Sequence, residues 1–171
     1  MKRVNVVFRS RNATSIRVSN TLAVLGSKVL LQEMERFLSS KTYIGIFVLR
    51  LFVGLRLLYG VIDNVLNGER MIEFAEFLNA HHFPFPLVSA ALSVYVQFVG
   101  SIFILIGFKI RITSIILVFN FLVALIFVHL QINDTVEGMT PALAMLFGCL
   151  TFVFTGGEKV SVDFYLESRY N

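Results

Sequence analysis

Polar and apolar positions along this chain do not alternate with a period of two; they separate into blocks. Four continuous apolar runs, Tyr43–Ile62, Pro86–Phe108, Ile112–Leu130 and Pro141–Thr155, are divided by short polar segments. At a rise of about 1.5 Å per residue the first three cross a hydrocarbon layer of about 30 Å, and the fourth does so by borrowing Met139, Thr140, Gly156 and Gly157. Strands of a membrane barrel would alternate over about ten residues with a polar inward face. A helix instead satisfies each backbone amide within its own segment. The pattern predicts an all-α polytopic membrane protein built as an antiparallel four-helix transmembrane bundle.

Between the first two runs, GERMIEFAEFLNAHHFPFP sets Met71, Ile72, Phe74, Ala75, Phe77 and Leu78 against Glu69, Arg70, Glu73 and Glu76. That spacing predicts an amphipathic outer helix stopped before Pro84, serving as a lid over the bundle or as an anchor in the interface.

Each later run also has a contact face. In the second, Ala90, Ser93, Gln97, Gly100, Ile104 and Gly107 recur at three- and four-residue steps; in the third, Thr113, Leu117, Asn120, Ala124 and Phe127; in the fourth, Ala144, Gly148, Thr151 and Thr155. Small residues allow close backbone approach, which supplies packing where lipid removes the hydrophobic drive between helices. Self-association through such faces stays open.

Composition agrees with a membrane chain: of 171 residues, 56% are hydrophobic, beyond the share of a soluble domain. Charge then orients it. Residues 1–42 hold eight Lys and Arg against Glu33 and Glu35, and Lys109 and Arg111 sit in the second loop, whereas the first and third loops are acidic. The positive-inside rule places both termini and the second loop in the cytoplasm, and a bacterial inner membrane is the expected location. A mitochondrial membrane is the alternative, since the start is rich in Arg and Ser and free of acids through residue 32. Three parts follow: a basic extension over 1–42, the bundle over 43–157 and a short tail over 158–171. Within the extension, Val29, Leu30, Met34 and Phe37 share one helical side, suited to an interfacial helix. The single Cys149 excludes an intrachain disulfide and reads as a packing residue.

The first run raises a chemical question, because Arg50 and Arg56 lie inside it. Intramembrane arginine is expensive and persists when paired, wetted or used. No acid occurs between Glu35 and Asp63 or between Glu76 and Asp134. Helical rise brings Arg50, Gln97 and Asn120 to one depth, which suggests a layer whose amide oxygens accept from the guanidinium and leave its charge for an anionic or carbonyl-bearing guest. The competing reading has Arg50 snorkelling to the cytoplasmic surface. Arg56 lies about 240° around the helix from Arg50 and reaches toward Tyr59 or Asp63. His129, ending the third run, and Tyr59 are the candidate proton relays. No metal-ligand spacing is present, and no basic segment carries the aromatics or motif context of a nucleic-acid module.

An early arginine, YG near the end of the first run, then AHHFPFPLVSAAL, QFVGSIFILIGFKIR, VHL and TGGEKVSVDFYL together resemble the DoxX family of small four-span membrane proteins, over about Tyr43 to Leu166. The resemblance implies a four-helix membrane bundle and, for some members, association with quinone-linked oxidoreduction, such as the thiosulfate to quinone enzymes. It also implies an acid in the second span, where this chain has Gln97, so a proton-carrying or arginine-pairing role there is lost or changed. No GxGxxG follows a strand, so no nicotinamide or flavin site is evident; electrons would come from a redox partner protein or pass through a bound quinone. Three functions are consistent with this: a quinone-interacting subunit of an oxidoreductase, a non-catalytic scaffold or assembly subunit of a membrane complex, and a small-anion carrier.

Overall fold

A computed structural model of the chain describes residues 25–130 and 134–170. The chain divides into two compact units, Met1–Thr42 and Tyr43–Asn171. In the first, residues 25–39 form helix α1, whose Val29, Leu30, Met34 and Phe37 are exposed.

Every regular element among the described residues of the second unit is a helix. Long apolar helices α2 (Thr42–Leu66), α4 (Pro86–Ile106), α5 (Ile110–Ala124, continued by a π turn Leu125–His129) and α6 (Val136–Thr155) are each long and apolar enough to cross a membrane. Helix α3 (Gly68–Ala80) fills the first loop and α7 (Val162–Tyr170) follows α6. The short segment after residue 157 falls in the same compact unit as the spans.

The core is a line of side chains shared by all four spans: Val53 and Leu57 of α2, Ile104 of α4, Leu117 of α5, and Cys149 and Phe152 of α6. Cys149 is fully buried. Gly148 of α6 faces the side chain of Val53, and Gly54 of α2 faces Leu105, so these positions set how closely the helices approach.

Two predicted faces are displaced. On the fourth span the buried ridge runs through Met145, Cys149 and Phe152, with Gly148 beside it, and Ala144 is exposed. These large side chains fill the centre of the bundle, so the core-facing line lies one residue on from the small-residue line. On the third span Phe127, expected inward, is 48% exposed, and Val128 is buried instead. The cause is the π turn, in which the Leu130 amide donates to the Leu125 carbonyl. One extra residue in the turn moves the following positions round the axis.

Helix α3 starts at Asn67, whose side chain accepts from the Glu69 amide. It lies on the bundle: Ala75 and Leu78 are buried against Ala90 of α4 and Val128. This end carries Asp63, Glu69, Glu73 and Asp134 and is called the acidic end; the opposite end, with Lys109 and Arg111, is the basic end.

Candidate functional site

Arg50 is one of the most buried residues in the protein, 1% exposed, and lies at the basic end. Its guanidinium is held by the main chain. Nε donates to the Ile104 carbonyl at 3.1 Å and Nη2 to that of Leu105 at 3.1 Å, while Nη1 donates to Gly157 at 3.2 Å and to Val160. Ile104 and Leu105 are in the last turn of α4, where carbonyls have no helical partner and the helix dipole is negative. The direct partners of this cation are carbonyls and not a carboxylate. Four of its five N–H groups are occupied.

Turn chemistry makes room for it. Gly107 ends α4 at φ +79°, and a Cβ there would lie 2.5 Å from Arg50 Nη2. Gly157 passes equally close to Ile110 and Ser161. Lys109 and Glu158 both adopt the left-handed conformation, at φ 47° and 53°. That conformation is costly for residues with a side chain and persists where surrounding contacts impose it. The contact at Lys109 is Asp163, whose carboxylate accepts from the amides of Lys109 at 2.7 Å and Ile110 at 3.0 Å, while its own amide donates to the Gly107 carbonyl. Asp163 thereby places an anion at the start of α5, as Arg50 places a cation at the end of α4. The two charges also interact electrostatically.

The layer expected from the sequence does not form. Gln97 is seven residues before Ile104, about 10 Å along α4 from the clamp, and Asn120 is ten residues into α5 from Ile110, about 15 Å in. Gln97 Nε2 donates to Ser93 Oγ at 3.1 Å. The depth estimate failed because α2 begins about two turns beyond the ends of α4 and α6, so Arg50 is level with those ends and not inside them. Nor does Arg50 snorkel into the interface, being enclosed by protein.

The remaining candidates are dispersed. Arg56 is exposed on the outward side of α2, its guanidinium 6.0 Å from the ring centroid of Tyr59, itself 77% exposed. No ion pair joins Arg56 to Asp63. His129 Nδ1 is 2.7 Å from Asp134 Oδ2 at the acidic end, and Asp134 also accepts from the Thr135 amide ahead of α6. Tyr59 and His129 therefore stand apart from Arg50.

Among the described residues two buried side-chain polar atoms have no partner, Ser114 Oγ and Asn120 Nδ2. Asn120 lines a cavity of about 320 Å³ walled by Phe74 and Leu78 of α3, Leu92, Ser93 and Val96 of α4, and Ile116, Phe119 and Val128. A buried N–H without a partner costs about 1–3 kcal/mol, which an incoming acceptor recovers.

Fold and site define a polytopic helical membrane protein whose spans are clasped at one end by an arginine on main-chain carbonyls. The sequence profile of the DoxX family matches residues 45–130, half of the chain, and the chain belongs to that family. No curated protein and no solved structure matches it.

Proposed function

We propose that this DoxX protein is a quinone-interacting membrane subunit associated with an oxidoreductase, seated in a bacterial inner membrane with its basic end in the cytoplasm. The observation that carries the reading is the Asn120 amide: an unpartnered donor in a mostly apolar cavity between α3, α4 and α5, whose other polar lining residues, Ser89 and Ser93, are already hydrogen-bonded. A quinone head offers what that cavity lacks, a carbonyl oxygen on a flat apolar ring. Ser93 and Gln97, already bonded to each other, form the neighbouring polar patch. Arg50 is not part of the ligand site in this reading, since its donors are committed to the main chain.

The test is titration of the purified protein in nanodiscs with a short-chain quinone, comparing wild type with Asn120→Leu. Loss of one hydrogen bond to the ligand should weaken binding about tenfold while stability is kept or raised. Equal affinity of the two, or no binding by either, overturns the reading.

An assembly-subunit reading is favoured by a different observation, the exposed Arg56 on α2. An anion carrier lacks a free interior cation among the described residues.

A further inference from the structure

We infer that the face of α2 bearing Arg56, Tyr59 and Gly60 docks a membrane-spanning helix of another protein, one that carries an Asp or Glu within its span. The inference goes beyond the quinone reading and does not depend on it.

Depth is the first argument. Arg50 marks the basic end of the bundle through its bonds to the last turn of α4. Arg56 is six residues further, about 9 Å deeper. Helical side chains ordinarily lean toward the N-terminus, which here is the nearer surface. The guanidinium of Arg56 goes the other way: it lies over Tyr59, three residues on, and Nη1 is 3.3 Å from where a Cβ of Gly60 would be. That places the charge about 13–15 Å from the basic end, close to the middle of a hydrocarbon layer of about 30 Å. It is not snorkelling.

The surroundings are the second argument. Phe52, Leu55 and Tyr59 on the same side are all more than half exposed, so this surface faces away from the bundle. A guanidinium in hydrocarbon is expensive, and the face of a single tyrosine offsets only part of that. Arg56 calls for an anion at its own depth.

Among the described residues no carboxylate pairs with Arg56: Asp63, three residues beyond Gly60 on α2, makes no ion pair with it, α4 and α5 contain no acid, and Glu137 is at the start of α6. A second copy in the same orientation repeats these positions and, meeting face to face on α2, sets Arg56 against Arg56. The complementary surface is therefore a different span with a carboxylate near its centre. Gly60, with no side chain beside the guanidinium, leaves room for that helix to approach closely.

The experiment places a benzophenone amino acid at Tyr59 in the full chain, reconstituted in phosphatidylcholine vesicles at mildly alkaline pH. The probe is a leucine-rich single-span peptide with Glu, Gln or Leu at its centre, and the readout is photocrosslink yield. The Glu peptide should be captured roughly tenfold better than the Leu peptide, and Arg56→Leu should erase that preference. In Arg56→Glu the preference should pass to a Lys peptide. Thermal melts of each variant in detergent confirm the fold. Equal capture of Glu and Leu peptides, a preference that survives Arg56→Leu, or crosslinks chiefly to lipid or to a second copy would each overturn the inference.

Discussion

Arg50 and Arg56 stand six residues apart on one helix, and their surroundings are opposite. Arg50 is buried at the basic end with four N–H groups on main-chain carbonyls; Arg56 is exposed beside one tyrosine ring, deeper in the apolar layer. The difference shows that a cation in a membrane span can be bonded directly by main-chain carbonyls where the ends of neighbouring helices point at it, with the Asp163 carboxylate near but not bonded to it. Where no such ends are present, as around Arg56, a direct anionic partner is called for.

The two can be separated by stability in detergent. Arg50→Leu should have the largest effect, about 4 kcal/mol or more, because it strips the donor from four carbonyls at once. Arg50→Lys should recover only part of this, since an ammonium lacks the planar fork that reaches several carbonyls. Chemical denaturation followed by circular dichroism measures both. Asp163→Ala should cost about 1–2 kcal/mol by removing the cap on the Lys109 and Ile110 amides, read in the same assay. Arg56→Leu should change stability by less than about 0.5 kcal/mol in the isolated protein, or raise it. If Arg56→Leu instead matches Arg50→Leu, the contrast between a structural and an interfacial arginine fails.

Much of this fold was legible in the order of residues. The four spans and the outer helix follow from continuous apolar runs and one amphipathic interval, and the anomaly of Arg50 was visible because charged residues are so rare there. Its acceptors were not visible, because they are carbonyls of Ile104, Leu105, Gly157 and Val160, and an inventory of side chains omits the main chain. A signal was nevertheless present: Gly107 and Gly157, within the QFVGSIFILIGFKIR and TGGEKVSVDFYL segments that carry the family resemblance, are the residues that shape the clamp. Asp163 was missed because it falls in a stretch that reads as a polar tail, and its role depends on amides 53 and 54 positions away. The faces around Phe127 and Ala144 slipped by one position, the first because a π turn breaks the helical period and the second because bulk, not smallness, decides the centre of α6.

The clamp also sets an order of events during synthesis. Two of the carbonyls that hold Arg50 come from residues 107 and 110 positions later in the chain. The first span must therefore enter the lipid with its guanidinium still hydrated or drawn back toward the translocon. Only when the turn after the fourth span emerges can that charge be locked in place, so the last turn made is the one that completes the first helix.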